Sequence, residues 1–400
     1  MNKFNIKIFS IILLLFIVSL TLVSCKRQEI EVPGFSEDTI KIGALGPLTG
    51  AAAVYGRSVF NCARLAVNEI NANGGLDGVM LSFEMYNDQH RSELVNQGYA
   101  HLLERGMQLS LGTVTTKPGL EFKELSAIDG IFALTPSASG DLIPGGNVFQ
   151  MCFADSNQGT ASAHYFNENY KGKKIGIFYK SDDEYSRGIL EKFEAAIDKS
   201  FGTLAKASFK GDEADFSQQL QALKDCDVIF MPIYYTPASQ FMTAAKGTIK
   251  PNAVYYGCDG LDGIESIAGF DISSITQEIS YLSHFNSVAG EGAAAELIKK
   301  YSEVFDADAE PLNQFGASAY DCVYAIFDAM KEAISEGKTI DGSTPPAELC
   351  EILSAKFSGG FVYNGVTGRA EENGKSSISW NPLGFVNKEA IKHVVKEADV

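Results

Sequence analysis

Short apolar runs alternate with stretches of helical periodicity along most of the chain. The apolar runs predict β-strands at 40–46, 81–88, 109–114, 130–139, 174–181, 205–211, 227–235 and 253–258. Helical patterns lie between them, the first ending at Gly74-Gly75. Such alternation is typical of right-handed βαβ units, in which helices cover both faces of a parallel sheet. Because these strands are too numerous for one comfortable sheet, we predict an α/β fold with two doubly wound lobes.

The pattern changes towards the C-terminus. An apolar run at 278–285 leads into long helical patterns near 291–305, 314–336 and 345–356. Two short strand-like runs, "GGFVYNG" and "SSISW", come last. The long helices therefore predict an addition to the βα series rather than its continuation.

The N-terminus has the pattern of an export signal. Lys3 and Lys7 precede an apolar run that is short for a membrane span, and the run ends in "LVSC" at Cys25. An uncleaved membrane anchor is the alternative, but a polar stretch containing Pro and Gly follows. We predict a lipoprotein signal peptide at 1–24, lipidation of Cys25 and a tether at 25–37. The protein would then be exported and lipid-anchored to the cell membrane, facing the periplasm or the cell exterior.

Charge and cysteine content exclude several classes of protein. The net charge of −17 argues against binding to nucleic acid and against close contact with anionic lipid headgroups. Seven cysteines are present, none of them in a Cys-x-x-Cys motif, which argues against a zinc or redox site. Cys322 and Cys350 lie on successive predicted helices and are either a disulfide pair or buried free thiols.

The loops that follow the predicted strands contain the candidate ligand-binding residues. In open parallel sheets ligands bind at the carboxyl ends of strands, near helix N-termini. These loops are rich in Ser, Thr, Gly and Tyr, which suit a carboxylate and flat apolar groups, and one acidic residue there suits a cation. The candidates are Tyr55, Thr116, Ser137, Ser139, Tyr185, Tyr234 and Asp259. Taken singly, each also has a structural interpretation as a helix cap, a rim residue or a turn residue.

Signals for metal binding and catalysis are weak. Asp259-x-x-Asp262-Gly263 superficially suggests calcium, but the regularly spaced oxygens and distal glutamate of an EF-hand are missing. Nucleophile elbows, zinc-protease motifs, Walker A loops and dinucleotide-binding fingerprints are not found. The five histidines are scattered, and we interpret them as structural. We therefore predict neither an enzyme nor a cofactor or metal site.

A resemblance to a known family rests on an ordered series of stretches. The segment "IKIGALGPLTGAAAVYGRSVFNCARLAVNEINANGGLDG" resembles the opening of the leucine/isoleucine/valine-binding proteins, type I periplasmic solute-binding proteins of branched-chain amino acid ABC transporters. The stretches "LGTVTTKPG", "IFALTPSAS", "FADSNQGTASAHY", "DDEYSRG", "YYGCDGLDG" and "NQFGASAYDCVYAI" follow in the same order. The resemblance covers about residues 38–365.

The resemblance implies a fold and its domain boundaries. The family has two Rossmann-like doubly wound lobes joined by a three-strand hinge, the periplasmic binding protein-like I fold, and it closes on ligand like a Venus flytrap. Lobe 1 would comprise 36–155 plus 286–360, and lobe 2 would comprise 156–285 plus 361–400.

The resemblance also implies residue roles. Thr116 matches a hydroxyl that holds the ligand α-carboxylate, and Ser137 falls where the family uses a backbone carbonyl. Ser139 matches a hydroxyl that helps to bind both the carboxylate and the ammonium. Asp259 matches the acidic residue that receives the α-ammonium. The aromatic positions of the pocket correspond to Tyr55, Tyr185, Tyr234 and, less closely, Phe315.

Departures from the family pattern leave the specificity open. The family's first disulfide is missing, and Asp259 stands where similar members of the family have glutamate. Lys117 stands beside Thr116 where branched-chain binders have a small residue; it either points inward, favouring an acidic ligand, or is solvated.

The resulting hypothesis is a monomeric, membrane-tethered lipoprotein. It would capture a branched-chain or other zwitterionic amino acid in the cleft between its lobes and deliver it to ABC permease subunits. The alternative is a sensory ligand-binding lipoprotein of the same fold. An exported enzyme on a two-lobed scaffold is a third reading, which no motif supports.

Overall fold

The computed structural model describes residues 34–202, 204–305, 309–368 and 374–398. The predicted signal peptide, the lipidation site at Cys25 and nearly all of the tether lie outside these residues. Within them, every helix is too short or too polar to cross a lipid bilayer.

The first five strands form one parallel sheet. They are β1 (Ile40–Gly46), β2 (Leu81–Asn87), β3 (Leu109–Thr113), β4 (Phe132–Thr135) and β5 (Val148–Gln150), in the order β2-β1-β3-β4-β5. Their side chains are mostly buried, as expected when helices cover both faces of a parallel sheet. The helices of this region are α1 (Ala53–Ala72), α2 (Val95–Glu104) and α3 (Thr116–Asp129).

The first helix illustrates how the sequence pattern becomes packing. The predicted apolar stripe of α1, which includes Val59, Ala63 and Ile70, is buried. The helix ends before Gly74 and Gly75, both of which have positive φ angles of 96° and 68°, a conformation that glycine adopts without strain. The expected helix and its stop are therefore confirmed.

A second, larger sheet follows in the sequence. Its strands β6 (Ile175–Lys180), β7 (Ala205–Phe209), β8 (Val228–Met231), β9 (Val254–Gly257) and β10 (Glu278–Ser283) are mutually parallel. The accompanying helices are α4 (Asp155–Asn169), α5 (Glu184–Ala196), α6 (Ser217–Leu223) and α7 (Tyr235–Ala244). Two parallel sheets with helical connections are the two-lobed α/β fold that the sequence predicts.

The C-terminal part contributes to both sheets. Helices α8 (Gly292–Val304), α9 (Gln314–Ser335) and α10 (Pro346–Ser358) are followed by a small antiparallel sheet of β11 (Val362–Gly365), β12 (Ser376–Trp380) and β13 (Val386–Asn387). The last strand, β14 (Ile391–Lys396), pairs antiparallel with β10 and completes the order β14-β10-β9-β8-β6-β7. Helix α9 packs along α1.

The C-terminal contacts bear on one predicted lobe boundary. The sequence assigned all of 361–400 to lobe 2, yet β11–β13 pack on the first sheet. The Trp380 indole N–H donates to the backbone oxygen of Gln150 on β5 (2.6 Å), and the Trp380 ring lies 4.6 Å from that of Phe357 on α10. Only β14 joins the second sheet, so we propose that residues 362–387 belong with lobe 1. The other lobe boundaries stay a prediction.

The chain passes between the two sheets three times: after β5, after β10 and before β14. Lys388, in the third passage, is partly buried and donates from Nζ to the backbone oxygen of Met151 in the first passage and to Thr367 Oγ1, each at 2.6 Å. The backbone oxygen of His284, in the second passage, accepts from Gly368 N–H. The three passages thus share one hydrogen-bonded region, as a hinge requires.

A buried carboxylate organises the turn beside this hinge. Asp321 on α9 accepts hydrogen bonds from the Thr367 hydroxyl (2.5 Å), the Thr367 and Val366 backbone N–H groups (each 2.9 Å) and the Tyr363 hydroxyl (3.1 Å). Four donors offset the cost of burying this side chain.

The cysteines do not pair in the described part of the chain. Each of the six that the structure describes is buried and free, including Cys322 and Cys350. Of the two readings of Cys322 and Cys350, buried thiols therefore hold, and burial raises both thiol pKa values.

Candidate ligand-binding cavity

The carboxyl ends of the strands in both sheets face one buried cavity. All eight predicted ligand-binding residues line it, namely Tyr55, Thr116, Ser137, Ser139, Tyr185, Tyr234, Asp259 and Phe315. The cavity has a volume of about 10 Å³, and Val114, Thr115 and Gly260 complete its lining. The structure thus brings together residues up to 260 positions apart (Tyr55 to Phe315). Their roles in binding remain a prediction.

Hydroxyl groups and a helix N-terminus form the first-sheet side of the cavity. Thr116 is the first residue of α3, whose initial N–H groups point out of the helix, where they favour an anion. The N-cap residue Thr115 makes no capping hydrogen bond, because its hydroxyl is bonded to His90 Nδ1 instead (2.9 Å). Thr116 Oγ1 accepts from Gly140 N–H (3.2 Å), which leaves its own proton available for a ligand oxygen.

The acidic side of the cavity is provided by the second sheet. Asp259 follows β9 and is 1% exposed. Its carboxylate accepts a hydrogen bond from the Tyr185 hydroxyl (2.7 Å), and its backbone N–H donates to Gln158 Oε1 (3.0 Å). Burial raises the pKa of Asp259 to about 7, although hydrogen bonds from Tyr185, Gln158 and Gly260 favour the charged form. A cationic group beside this carboxylate would offset the cost of its burial.

A second buried acid lies close to Asp259. Asp155, the first residue of α4, is 2% exposed, and its Oδ1 atom has no hydrogen-bond partner in the structure. Burial raises the pKa of Asp155 well above its ordinary value; a hydrogen bond from Ser139 opposes the shift, and the nearby Asp259 charge adds to it. Ser139 therefore connects the hydroxyl side of the cavity to an acid that the sequence did not single out.

Aromatic rings close the remaining walls. Tyr185 and Tyr234 stack with their centroids 4.7 Å apart at an interplanar angle of 11°, and Tyr55 meets Phe315 edge-on at 4.8 Å. Burial raises the pKa of Tyr234 well above its ordinary value, and a hydrogen bond from the Thr116 backbone N–H opposes this shift. An anion bound at the N-terminus of α3 would therefore lie beside the Tyr234 hydroxyl.

Direct hydrogen bonds join the two sides of the cleft around the cavity. Tyr55 donates from its hydroxyl to the backbone oxygen of Gly260 (2.5 Å). Outside the cavity, Val54 N–H donates to the Tyr235 hydroxyl oxygen (3.2 Å), and the Thr236 hydroxyl donates to the backbone oxygen of Ala51 (2.9 Å). These bonds connect the N-terminus of α1 to the N-terminus of α7, so the cleft is closed in this structure.

Asp262 adds a further contact across the cleft. It caps a helix on the other side of the cleft. Its carboxylate accepts from the backbone N–H of Gln314, the first residue of α9 (2.9 Å), and from the Tyr281 hydroxyl (2.7 Å). Asp262 therefore stabilises a helix of the first sheet's side and does not line the cavity.

Lys117 and His90 lie beside the cavity. The sequence left two placements open for Lys117 and assigned a structural role to His90. Lys117 is exposed, so of its two alternative placements the solvated one holds. His90 was interpreted as structural, but its ring contacts Tyr234 edge-on at 5.3 Å and binds Thr115. Gln89 and His90 both have positive φ angles, 53° and 61°, which is uncommon for residues other than glycine. Such strain is not readable from the sequence.

The described residues contain no cluster of three or more His, Cys, Asp or Glu side chains that could hold a metal ion. The Asp259 and Asp262 carboxylates instead bond to separate tyrosine hydroxyls.

Comparison with known proteins identifies relatives along nearly the whole described chain. A family model for periplasmic binding proteins matches residues 39–371. The Leu/Ile/Val-binding protein BraC3 of Rhizobium johnstonii is 28% identical over 342 residues, which cover 80% of this chain and 90% of that protein.

Solved structures share the fold. The branched-chain amino acid transporter substrate binding protein LivJ of Streptococcus pneumoniae, in complex with isoleucine, has a TM-score of 0.71 at 24% identity, covering 89% of this chain and 99% of that one. A solute binding protein of an R. palustris ABC transporter, in complex with benzoate, has a TM-score of 0.73 at 18% identity, covering 90% and 93%.

At the level of the family, these are extracytoplasmic solute-binding proteins rather than enzymes. The family match, the parallel sheets and the three passages between them agree. The chain belongs to the periplasmic binding protein family and is a type I member similar to the Leu/Ile/Val-binding proteins.

Proposed function

We propose that this protein captures a zwitterionic amino acid in the cavity between its two sheets and delivers it to an ABC permease. The observation that carries the proposal is the polarity of the cavity. Hydroxyls and the N-terminus of α3 lie on one side, and the buried carboxylate of Asp259 lies on the other. None of the described residues that line the cavity is Lys or Arg, so a single ligand carboxylate finds neutral donors there.

Each end of the ligand would have its own partners. The α-carboxylate would accept hydrogen bonds from the Thr116 and Ser139 hydroxyls and from backbone N–H groups in the first turn of α3. The Tyr234 hydroxyl also accepts a hydrogen bond in this first turn. The α-ammonium would lie against Asp259, giving a charge-assisted hydrogen bond in a site closed to water. Closure brings Tyr185, Tyr234 and Asp259 onto a ligand first held by Thr116 and the serines.

The transport role depends on an exported, membrane-tethered protein. Family membership supports export, and the "LVSC" sequence supports lipidation of Cys25. Metabolic labelling with palmitate tests this step: the Cys25→Ser variant should lose the label and leave the membrane fraction. Label retained by Cys25→Ser would contradict lipid anchoring at this residue.

An aromatic carboxylate is a second candidate ligand. The cavity has four aromatic wall residues, and a relative in fold is known in complex with benzoate. Benzoate has no ammonium, however, and it would leave the buried Asp259 carboxylate without a cationic partner. The chemistry of the cavity therefore favours a zwitterion.

Thermal unfolding of the full chain with each of the twenty amino acids, and with benzoate and propionate, tests the proposal. A ligand at a hundred times its Kd stabilises the folded state by about 2.7 kcal/mol. An amino acid should stabilise the wild type, its deaminated analogue should not, and Asp259→Ala should lose that preference. The exposed residue Asp212 provides a matched control, since Asp212→Ala should keep the preference.

Stabilisation by benzoate and by no amino acid would overturn the proposal. An Asp259→Ala variant that still prefers the amino acid over its deaminated analogue would contradict the role of Asp259.

A further inference from the structure

The first turn of α3 has few backbone donors to offer the carboxylate of a ligand. The N–H groups at the start of a helix have no partner within the helix. Thr116, the first residue of α3, donates its N–H to the Tyr234 hydroxyl. The third residue is Pro118, which has no N–H group. Of the first three helical positions, Lys117 therefore supplies the N–H group that is left for a ligand oxygen.

Thr115 has the backbone of a capping residue but does not cap the helix. Its φ and ψ angles, −121° and 152°, are extended, and its backbone oxygen accepts the first hydrogen bond of the helix, from Gly119 N–H (3.1 Å). A threonine in this position ordinarily accepts at its hydroxyl from the second or third N–H of the helix. Because the third residue is Pro118, the Thr115 hydroxyl could cap only Lys117 N–H, and it makes no capping bond.

The His90 ring holds the Thr115 hydroxyl in a different direction. His90 Nδ1 lies 2.9 Å from Thr115 Oγ1, within hydrogen-bonding distance. The threonine oxygen occupies one staggered position at a time. The bond to His90 therefore keeps it out of the position from which it would accept from Lys117 N–H.

The loop after β2 is strained where it places His90. Gln89 and His90 have positive φ angles, 53° and 61°. The buried Asp88 carboxylate supports this conformation by accepting from His90 N–H (2.8 Å), and Tyr234 packs edge-on against the His90 ring with the centroids 5.3 Å apart. Strained residues persist only where the surrounding structure holds them, and they cluster at functional sites. Contacts from both sides of the cleft thus fix the ring beside Thr115.

We propose that His90 keeps the N-terminus of α3 uncapped and so reserves Lys117 N–H for the carboxylate of the ligand. His90 is a positioning residue, because it acts through Thr115 and lies outside the residues that the structure shows lining the cavity. Without His90, the Thr115 hydroxyl would turn to Lys117 N–H and compete with the ligand. The inference rests on the proposed function, because it requires a ligand that carries a carboxylate.

Isothermal titration calorimetry of the full chain, with the amino acid that stabilises the wild type most, tests the inference. His90→Phe keeps a ring against Tyr234 but cannot bond to Thr115. Its affinity should fall about fivefold, the factor expected when the ligand must displace a typical N-cap bond. Adding Thr115→Val, which cannot cap the helix, should return most of the lost affinity.

Two further variants separate the hydrogen bond from the shape of the loop. His90→Asn should keep most of the affinity, because its side-chain amide can bond to Thr115 and asparagine tolerates a positive φ angle. His164→Phe provides the matched control, since His164 is an exposed histidine on α4, and this variant should bind like the wild type.

Hydrogen exchange of the Lys117 amide, followed by NMR without ligand, measures the cap itself. The exchange should be about fivefold slower in His90→Phe than in the wild type, because the amide gains the Thr115 hydroxyl as a partner. Circular dichroism establishes that each variant is folded. His90→Ala, which removes the same bond, replaces His90→Phe if that variant does not fold.

The outcomes separate this inference from the proposed function. Equal affinities of the wild type and a folded His90→Phe protein overturn the role of His90, and so does an unchanged exchange rate at Lys117. A loss of affinity that Thr115→Val does not reverse also overturns it, because the ring would then serve the structure of the loop alone. Failure of every amino acid to bind the wild type overturns the proposed function, and this inference with it.

Discussion

The pH dependence of ligand binding follows from the buried carboxylate of Asp259. Its pKa is raised to about 7 by burial, and the ammonium of a ligand is bound well only by the ionised form. Binding should therefore release a proton below pH 7. At pH 5, two units below this pKa, about 1% of the molecules carry the charged carboxylate, which corresponds to an affinity loss of about 100-fold, or about 2.7 kcal/mol.

The groups that face Asp259 fix the direction of this effect. Tyr185, Gln158 and Gly260 hydrogen bond to it and favour ionisation, whereas Asp262 and the burial itself oppose it. The opposite trend is expected for stability without ligand. Because the raised pKa lies above the unfolded value of about 3.9, the contribution of Asp259 to stability is present below that value and is lost as the pH rises through 7.

Titration calorimetry of the amino acid that stabilises the protein most, at pH 5, 6, 7 and 8 in buffers of different ionisation enthalpy, measures both the affinity and the protons released. The affinity should rise about tenfold per pH unit up to about pH 7 and then level off. Asp259→Asn should bind weakly with little pH dependence in this range. An affinity of the wild type that is constant from pH 5 to 8, with no proton released, would refute the assignment of Asp259 as the ammonium partner.

The remaining predictions concern closure and the hinge. Tyr235→Phe should weaken ligand binding about tenfold, because the buried Val54 N–H loses its partner only in the closed cleft and one such bond is worth about 1.4 kcal/mol. Stopped-flow measurements should find the change mainly in the dissociation rate of the ligand. An unchanged dissociation rate would argue that this bond does not hold the cleft closed. Asp321→Ala should lower the free energy of unfolding by about 3 kcal/mol, because it leaves the Thr367 hydroxyl and neighbouring donors unpaired. Urea denaturation measures this loss, with Asp212→Ala as the control, and equal values for the two variants would contradict the role of the hinge carboxylate.

Local pattern and chain order were enough to predict much of the fold. The strand β1 spans 40–46 as expected, and α9 spans Gln314–Ser335 against an expected 314–336. The strands β5, β13 and β14 were missed for identifiable reasons. Val148–Gln150 and Val386–Asn387 are too short for a periodic signal, and Ile391–Lys396 is a partly exposed edge strand whose partner β10 lies over a hundred residues earlier.

The residues of the site likewise include some that could be predicted from the sequence and some that could not. The eight cavity residues could be named because parallel strands end at a common edge and a family resemblance supplied the positions. Asp155 was missed because nothing in the local sequence distinguishes a buried acid at a helix start from an ordinary capping residue. No local sequence pattern encodes how the two sides of the cleft meet. The contact of Asp262 with Gln314 depends on this arrangement, and so does the volume of the cavity.

A crystal structure of the full chain with the amino acid that stabilises it most would show how the cavity holds its ligand. We expect density for the ligand in the cavity, with its ammonium within hydrogen-bonding distance of Asp259 and its carboxylate at Thr116 and Ser139. A ligand bound elsewhere, or one whose carboxylate faces Asp259, would contradict this expectation.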